Sequence, residues 1–204
     1  MIRDPERFFS ELKKKLVGVV GLGVSHFALI RLMLKKGIGV TVLDKREMEA
    51  LGEDGRTLEK EGARFILGDG YLDALTSFDV LFRTPGMYFL SDALNKARAA
   101  GVSVVSEMEV FFDLCPCRVF AVTGSDGKTT TSTLISEFFK AEGKTVHLGG
   151  NIGRALLPQI EEIKPEDICV VELSSFQLIS MRQSPDVAVV TNVAPNHLDV
   201  HRDM

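Results

Sequence analysis

The sequence predicts an α/β protein of two successive domains, each built on a mostly parallel sheet. A strand, a glycine turn, a helix and a second strand occur in this order over residues 17–43 and again over residues 118–148. Parallel strands joined through a helix give this order, and such units build sheets with helices on both faces. We expect the first domain to comprise residues 1–106 and the second to comprise residues 107–204.

Hydrophobic periodicity and turn residues define the elements of the first domain. Residues 5–16 have the pattern of an amphipathic helix, and residues 16–23 that of a buried strand running into a glycine turn. Ser25 is a candidate N-cap for a helix over residues 27–36, which Gly37 would end. The remaining predicted elements are a strand at 39–44, a helix in the latter part of 45–62, strands at 63–68 and 79–83, a helix capped by Ser91 at 92–100, and a strand at 102–106.

The same signals divide the second domain. It begins with a predicted helix and connector, residues 107–117. The later predicted elements are a strand at 118–122, a helix over 132–142, a strand at 145–148, a helix that reaches residue 163, and buried strands at 167–173 and 186–190. Ligands of parallel α/β sheets bind at the carboxyl ends of the strands. The binding residues are therefore expected in the turns that follow the strands.

Composition and charge exclude several classes of protein. The chain is 45% hydrophobic and has a net charge of −4, so its overall charge does not attract a nucleic acid. No apolar run reaches the ~18 residues of a membrane span, and the charged N-terminus lacks a signal-peptide core. Cys115, Cys117 and Cys169 have no C-x-x-C spacing, which argues against a disulfide framework or a zinc site. We expect a cytoplasmic monomer that binds neither nucleic acid nor membrane.

The stretch VTGSDGKTTT, residues 122–131, lies between a predicted strand and a predicted helix, as a phosphate-binding P-loop does. Its glycines permit a tight turn, and the helix N-terminus offers unpaired N–H groups and partial positive charge. Lys128 would reach the β- and γ-phosphates, and Thr129 would hold Mg²⁺. The strict pattern requires a glycine where Val122 stands, so a plain glycine turn with a solvated lysine is the alternative.

The stretch GLGVSH, residues 21–26, fits the dinucleotide fingerprint G-x-G-x-x-G except at its last position, where His26 replaces glycine. Asp44 stands where the fingerprint expects an acidic residue. A diphosphate on the helix N-terminus, with Asp44 near a ribose or base, and a plain tight turn both remain open. A nicotinamide-dependent oxidoreductase is disfavoured by His26 and by the lack of a catalytic His/Arg set near this domain.

Other polar residues follow predicted strands. Glu172 ends a buried strand of the P-loop sheet, where a Walker-B acid holds metal, although a solvated strand end is the alternative. His197, with Asp199 beside it, follows the next strand and is either a surface residue or the ligand of a second cation. The Thr-Pro-Gly turn at 84–86 and the GGNIG turn at 149–153 also follow strands, and on physical grounds they are plain turns.

Four motifs, TGSDGKTTT, GGNIG, ELSSFQL and TNVAPNHLD, resemble in their order and spacing the Mur ligases of peptidoglycan synthesis. The resemblance implies a Rossmann-like N-terminal domain followed by an ATP-binding central domain that uses ATP and Mg²⁺. It implies a ligase that joins D-glutamate to UDP-N-acetylmuramoyl-L-alanine through an acyl phosphate. A sister ligase for another amino acid, a folylpolyglutamate-type ligase and a non-catalytic nucleotide-binding module are the alternatives.

The resemblance also implies residue roles. The UDP part of the substrate would contact Leu22, Gly23, Val24, Asp44, Lys45, Arg46, Thr84 and Gly86. The muramoyl sugar would face Asn151 and Ser174. ATP would contact Gly124, Ser125, Asp126, Gly127, Lys128, Thr129 and Thr130. Thr129 and Glu172 would hold the first Mg²⁺ and His197 the second, and the catalytic residues would be Lys128, Glu172 and His197.

The chain departs from the family pattern at three positions. His26, Asn196 and Val200 stand where the family has glycine, aspartate and arginine. Asn196 would alter the polar groups around the second metal. The resemblance places a carbamylated lysine, an adenine pocket and a D-glutamate-binding domain beyond residue 204. We therefore expect this chain to be part of a longer protein and to have little or no ligase activity alone.

Overall fold

The computed structural model describes residues 4–196. The chain divides into two compact units, Met1–Val110 and Phe111–Met204. Each unit contains one sheet whose strand pairs are all parallel, which confirms the predicted α/β class. No helix in the described part of the chain is long and apolar enough to cross a membrane.

The sheet of the first unit has the strand order β3-β2-β1-β4-β5. Its strands are β1 Val17–Val20, β2 Val40–Asp44, β3 Arg64–Leu67, β4 Val80–Arg83 and β5 Ser103–Val105. Strand β1 is buried along its whole length between β2 and β4. The chain first builds outward on one side of β1 and then on the other, so the reversal of strand order lies beside β1. In open α/β sheets this reversal opens a crevice for ligands at the carboxyl ends of the strands.

Helices flank this sheet. They are α1 Pro5–Leu12, α2 Val24–Lys35, α3 Met48–Lys60 and α4 Asp92–Ala99, with a 3₁₀ turn at Asp73–Ser77, and α5 Glu107–Leu114 crosses the division between the units. Helix α1 ends at Leu12, short of the predicted residue 16, where the exposed lysines begin. The predicted N-cap Ser25 is wrong, because α2 begins at Val24 and Gly23 occupies the cap. Gly37 follows α2 with φ of 71°, as predicted for its end.

The core of the first unit is a set of fully buried aliphatic side chains between the sheet and its helices. Its members are Val20, Leu43, Leu75, Leu81, Leu94, Ala97 and Val102. Gly18 in β1 makes this packing possible. A Cβ at Gly18 would lie 2.6 Å from Cδ2 of Leu81 and 3.0 Å from Cδ1 of Leu43. A larger residue at this position would overpack the core.

The sheet of the second unit has the strand order β7-β8-β6-β9. Its strands are β6 Arg118–Thr123, β7 Val146–Gly150, β8 Ile168–Glu172 and β9 Val187–Val190. Strands β6 and β8 lie inside the sheet, and β8 is buried throughout. The prediction that β9 is buried is wrong, since its residues alternate between half-buried and exposed and Val190 is 58% exposed. One face of β9 is therefore not covered by any described residue.

Helix α6, Lys128–Ala141, begins four residues before the predicted helix. Gly127, with φ of 79°, occupies the N-cap, so the three threonines that follow Lys128 are helical despite their low propensity. The helix predicted to reach residue 163 is wrong. Between β7 and β8 the described chain contains only a 3₁₀ turn, Leu157–Gln159, because Gly153 and Pro158 interrupt a helix. The short helix α7, Ser175–Leu178, was not predicted.

The three cysteines lie together in the core of the second unit, which their spacing did not predict. None is in a disulfide, and each is at most 2% exposed. The Sγ–Sγ distance is 3.7 Å from Cys115 to Cys117, 3.7 Å from Cys115 to Cys169 and 3.4 Å from Cys117 to Cys169. The hydrogen bond with Cys115, together with burial, raises the pKa of Cys117 to about 12. The same neighbours and burial raise the pKa of Cys169.

Candidate functional site

The predicted strand, glycine loop and helix of the P-loop are present in the second unit as β6, residues 124–127 and α6. Gly124 and Gly127 have φ of 138° and 79°, a region that favours glycine. A Cβ at Gly124 would collide with Oγ1 of Thr191 and lie 2.9 Å from the Asn192 carbonyl oxygen. The loop therefore passes closely against the segment that follows β9, and only glycine fits at position 124.

The Lys128 side chain folds back over the loop. Its Nζ donates to the carbonyl oxygens of Gly124 and Ser125, each at 2.8 Å. An ammonium group has three donors, so one remains for a further acceptor. The Lys128 ammonium is therefore bonded to the loop, and its charge lies at the mouth of the loop beside the N-terminus of α6.

Glu172 joins three of the predicted motifs. Its carboxylate is 1% exposed and lies at the end of β8, beside β6. Oε2 accepts a hydrogen bond of 2.8 Å from Oγ1 of Thr129, and Oε1 accepts one of 3.0 Å from Nδ2 of Asn151. The Asn151 N–H also donates to the Glu172 carbonyl oxygen at 2.8 Å. A solvated strand end is therefore excluded, and a hydroxyl and a carboxylate, both ligand types that Mg²⁺ prefers, lie in contact at the head of α6.

Asn192 was not among the predicted site residues. Its Oδ1 accepts from the N–H groups of Ser125 at 3.1 Å and Asp126 at 2.9 Å. Next to it, Thr191 donates its hydroxyl to the Asp126 carbonyl oxygen at 2.6 Å. Two loop N–H groups are thus already paired. The signal in the sequence was a polar Thr-Asn pair directly after a predicted strand, and the structure adds that this strand lies beside β6.

The other predicted residues of this unit are less informative. Thr130 is exposed in the first turn of α6. Ser174 is the N-cap of α7, and its backbone N–H donates to Oε1 of Gln177 at 2.9 Å while its side chain accepts from the Gln177 N–H, which makes a capping box. The Ser174 hydroxyl also donates to Oε1 of Gln177 at 3.1 Å. His197, together with Asp199 and Val200, lies outside the described residues.

The first unit has a cavity of about 550 Å³ at the carboxyl ends of β1, β2 and β4. It is lined by Val20, Gly21, Leu22, Gly23, Asp44, Lys45, Arg46, Tyr71, Leu72, Thr84, Gly86 and Met87. Every residue predicted to contact the UDP part of a substrate is in this lining except Val24, which is 93% exposed. Burial and the charge of Asp44 raise the pKa of Tyr71 in this cavity. The structure therefore brings the three predicted stretches to one cavity and adds a fourth, Tyr71 and Leu72.

Asp44 connects two sides of this cavity. Its Oδ2 accepts from the Leu22 N–H at 2.8 Å and from Nη2 of Arg46 at 2.7 Å. Its Oδ1 accepts from the Arg46 backbone N–H and from Nε, both at 2.9 Å. Burial alone would raise the pKa of Asp44, but these hydrogen bonds and the Arg46 charge outweigh burial and hold it below its usual value. Four donors use the acceptor capacity of the carboxylate, so Asp44 positions Leu22 and Arg46.

Arg46 completes this arrangement. Its Nη2 also donates to the Leu22 carbonyl oxygen at 2.7 Å, while its side chain remains 42% exposed. The guanidinium therefore has further donors that face the solvent side of the cavity. Such a planar group suits a phosphate or a carbonyl-rich base.

His26 lies beneath the glycine turn and is 1% exposed. Its Nδ1 is 2.7 Å from the Gly21 carbonyl oxygen, which can only accept, so Nδ1 carries the proton and donates. Burial lowers the pKa of His26, which favours the neutral ring. The imidazole fills space that the fingerprint glycine would leave for close helix–strand packing. This position therefore differs from a dinucleotide-binding turn, and the difference argues against a nicotinamide-dependent enzyme.

Arg83 is a further residue that the sequence did not single out. It is 1% exposed at the end of β4, and its Nη1 donates to the carbonyl oxygens of Thr84 at 3.4 Å and Met87 at 3.3 Å. Its guanidinium also lies 5.3 Å from the ring centre of Phe89. Arg83 thus supports the turn that carries Thr84 and Gly86 from below the cavity.

Two family models match the chain. The model "Mur ligase MurD-like, N-terminal domain" matches residues 15–106, and the model "Mur ligase middle domain" matches residues 122–204.

The chain belongs to the Mur ligase family.

Curated Mur ligases are similar to this chain over nearly all of its length. The UDP-N-acetylmuramoylalanine–D-glutamate ligase of Clostridium botulinum (strain Alaska E43 / Type E3) is 50% identical over 204 residues, which are 100% of this chain and 44% of that protein. The enzyme of the same name from Acetivibrio thermocellus is 52% identical over 197 residues, which are 97% of this chain and 42% of that protein. This chain therefore spans less than half the length of these relatives.

Solved Mur ligase structures have the same fold. UDP-N-acetylmuramate:L-alanyl-gamma-D-glutamyl-meso-diaminopimelate ligase from Neisseria meningitides matches with a TM-score of 0.56 and 19% identity, over 93% of this chain and 64% of that chain. UDP-N-acetylmuramate-alanine ligase from Thermotoga maritima matches with a TM-score of 0.53 and 22% identity, over 93% of this chain and 44% of that chain. At these identities the likeness bears on the fold alone.

Proposed function

We propose that this chain supplies the UDP-substrate site and the ATP site of a ligase that adds D-glutamate to UDP-N-acetylmuramoyl-L-alanine. Two relatives whose names state this activity are 50% and 52% identical in sequence to the chain over nearly its whole length. The observation in the structure that supports it best is the contact between Thr129 and Glu172 at the head of the P-loop helix. In this proposal residues 1–106 form the domain that binds the UDP substrate, and residues 107–204 form the part that binds ATP.

The ATP site that we propose consists of residues 124–130. The N–H groups of the first turn of α6 have no partner within the helix and carry its partial positive charge. Lys128 would exchange its bonds to the loop carbonyls for bonds to the β- and γ-phosphates. Because the transferred phosphoryl group carries charge on its equatorial oxygens, a lysine at this place stabilises the transition state.

The residues at the head of α6 fit a magnesium ion. Thr129 and Glu172 offer a hydroxyl and a buried carboxylate that already touch, and hard oxygen donors of this kind suit Mg²⁺. The Glu172 carboxylate is held in place from its other oxygen by Asn151. We assign the first Mg²⁺ to Thr129 and Glu172, where it would neutralise phosphate charge, and retain His197 as the predicted ligand of the second.

The substrate site that we propose is the cavity of the first unit. Arg46, held by Asp44, would present its exposed donors to the UDP group, and the Leu22–Gly23 turn and the Thr84–Gly86 turn would close on it from two sides. We retain Lys45 as a contact to the same ligand and Val24 at the start of α2. Asn151 and Ser174 are proposed to face the sugar, although in this structure both side chains are bonded within the protein.

The proposed reaction has two steps. The carboxylate of the substrate attacks the γ-phosphorus of ATP, so that ADP leaves and an acyl phosphate forms. The amine of D-glutamate then attacks the activated carbonyl carbon, loses a proton, and inorganic phosphate leaves. The chain contributes positioning and charge stabilisation and forms no covalent bond with either substrate. We propose that the protein acts as a monomer in the cytoplasm.

The P-loop role is tested by replacing its lysine. Lys128→Ala should abolish ATP binding to this chain, measured by isothermal titration calorimetry in the presence of magnesium. The matched control is Lys140→Ala in the same helix, because Lys140 is exposed and its Nζ pairs with the exposed Glu137 at 2.8 Å. Unchanged ATP affinity in Lys128→Ala, with the same affinity in Lys140→Ala, would refute the role of Lys128.

The amino-acid specificity is tested in the complete protein. Phosphate release from ATP and the UDP-muramoyl substrate should require D-glutamate, while this chain alone should bind ATP without D-glutamate-dependent release. Dependence on another amino acid would favour a sister ligase of the family. Absence of any metal-dependent turnover in the complete protein would favour a nucleotide-binding module.

A further inference from the structure

The cluster of Cys115, Cys117 and Cys169, which we call the thiol cluster, lies away from the P-loop. Cys115 and Cys117 belong to the connector between α5 and β6, and Cys169 is the second residue of β8. The cluster is therefore at the amino ends of β6 and β8, whereas the residues of the P-loop follow their carboxyl ends. The proposed ligase reaction uses none of these thiols.

The geometry of the thiol cluster is that of a ligand set. A buried cysteine by itself behaves as a small apolar residue. Here each Sγ lies within 3.7 Å of both others, although Cys169 is more than fifty residues from its partners in the chain. Metal–sulfur bonds of about 2.3 Å at tetrahedral angles place sulfurs about 3.8 Å apart. The three thiols could thus bind one central atom with little movement.

The number of ligands selects the central atom. Structural zinc takes four protein ligands, but within residues 4–196 no histidine, aspartate, glutamate or further cysteine joins the three sulfurs. The nearby Asp167 is occupied, because it accepts from His147 and from the Lys164 N–H, both at 2.9 Å. Each cysteine is at most 2% exposed, so a water that completed a set of four ligands would have to stay buried with them. The site therefore suits an atom that is satisfied by three sulfur ligands.

The net charge of the complex further narrows the choice of central atom. Three thiolates around a divalent ion leave one uncompensated negative charge, and burying such a charge is costly. Asp167 would add to this repulsion. A trivalent atom balances three thiolates and leaves the complex neutral. Trivalent arsenic and antimony are thiophilic, take three ligands in a pyramid and need no fourth.

We propose that the thiol cluster is a binding site for trivalent arsenic or antimony, taken up as the neutral hydroxide. Each of the three thiols forms one sulfur–arsenic bond, and each bond replaces one arsenic–oxygen bond of arsenous acid. Each thiol proton leaves with the displaced hydroxide, so that three molecules of water are released. Arsenic stays trivalent and no electron is transferred. Reactants and product are neutral, so no net charge is buried at any stage.

Arsenite tests this site in the chain itself. The chain is reduced with a phosphine, because a dithiol reductant would compete for arsenic. Native mass spectrometry should show one arsenic atom bound with the loss of three protons. X-ray absorption at the arsenic edge should show three sulfur neighbours and no oxygen neighbour.

Single substitutions then identify the ligands. Removal of an outer-shell partner alone weakens metal binding about 10- to 100-fold. Cys115→Ala, Cys117→Ala and Cys169→Ala should therefore each weaken arsenite binding by at least about 100-fold. Val119→Ala is the matched control, because Val119 is a buried neighbour of Cys169 across the β6–β8 pair. It should lower stability and leave arsenite affinity unchanged.

Several results would overturn the proposal. One such result is a folded cysteine variant, as judged by an unchanged far-ultraviolet circular dichroism spectrum, that binds arsenite with an affinity within tenfold of that of the parent chain. If an alanine variant is unfolded, the corresponding serine variant, which keeps the size of the side chain, is measured under the same criterion. Displacement of arsenic by an equimolar amount of zinc or cadmium would show that a divalent ion is preferred. A mass loss of two protons without arsenic would show a disulfide instead.

Discussion

The two units use the same backbone arrangement, a strand, a glycine turn and a helix, and each turn is held by a side chain from a neighbouring strand end. In the first unit the carboxylate of Asp44, at the end of β2, accepts from the Leu22 N–H. In the second unit the amide oxygen of Asn192, which follows β9, accepts from the N–H groups of Ser125 and Asp126. The first unit thus uses a charged group for this purpose and the second a neutral one.

This difference shows that the shared strand, glycine turn and helix do not by themselves determine which ligand binds. Both turns place a helix N-terminus at the carboxyl edge of a sheet, which favours an anion in general. In the second unit Lys128 and the Thr129–Glu172 pair add a cation and oxygen ligands, which favours a triphosphate with magnesium. In the first unit Arg46 and an apolar-lined cavity occupy the corresponding place, which favours a nucleotide that also has a base and a sugar.

The largest expected difference between the turns concerns their glycines. Gly124→Ala forces a side chain into a conformation with φ of 138° and against Thr191 and Asn192. Strain of about 1–3 kcal/mol and overpacking of about 1–3 kcal/mol together should lower stability by about 2–6 kcal/mol. The free energy of unfolding, measured by urea denaturation of this chain, checks this.

The matched change in the first turn is Gly23→Ala. Gly23 has φ of −107° and would have nothing within 4 Å of a Cβ. Only the preference for glycine over alanine at the N-cap is lost, so the cost should be below about 1 kcal/mol. Equal destabilisation by the two substitutions would contradict the close approach that the structure shows only at Gly124.

The second prediction concerns the charged group of the first turn. Asp44→Asn puts an NH₂ group opposite the donors of Leu22 and Arg46, and leaving buried donors unpaired costs about 1–3 kcal/mol. The folded state lowers the pKa of Asp44, so its contribution is fully present above the unfolded value of about 3.9 and is lost as the pH falls through the folded value. Unfolding free energies measured from pH 7 downward should therefore differ between parent and variant by a constant amount to about pH 4 and converge below it.

Asp54→Asn is the control for that series, because Asp54 is exposed on α3. At pH 7 it should change the free energy of unfolding far less than Asp44→Asn does. A parent and an Asp44→Asn variant that keep the same difference at pH 2 would show that the ionised form of Asp44 is not what stabilises the turn.

The sequence predicted the strand–turn–helix units because they depend on local signals. Apolar runs and glycines mark the strands and turns, and the motifs placed Lys128 and Thr129 after the glycine loop and Glu172 at a strand end, where the structure brings Thr129 and Glu172 together. The segment between β7 and β8 was predicted wrongly, since helical periodicity there is outweighed by Gly153 and Pro158, which permit only a 3₁₀ turn. The start of α6 was misplaced because Gly127 at the cap makes a run of β-branched threonines helical.

Contacts between distant strands could not be predicted in the same way. The pairing of Asn192 with the P-loop depends on β9 lying beside β6, which is a property of strand order and not of spacing in the chain. The thiol cluster depends likewise on β8 lying beside β6. Neither Asn151 nor Asp44 could be assigned its partner from the sequence, because the residue types were clear while the register of neighbouring strands was not.

The smallest expected effect comes from the neutral group of the second turn. Asn192→Ala removes two hydrogen bonds from exposed loop N–H groups, which water or phosphate can replace, so stability should fall by only about 1 kcal/mol. This loss should be independent of pH between 7 and 4, unlike that of Asp44→Asn, because an amide does not titrate.

ATP affinity should also fall in Asn192→Ala, by about fivefold, since the about 1 kcal/mol that fixes the loop must then be supplied on binding. Calorimetry with ATP checks this, and Asn95→Ala, an exposed site in the first unit, should leave that affinity unchanged. If ATP bound more tightly to Asn192→Ala than to the parent chain, Asn192 would instead compete with phosphate for the same N–H groups.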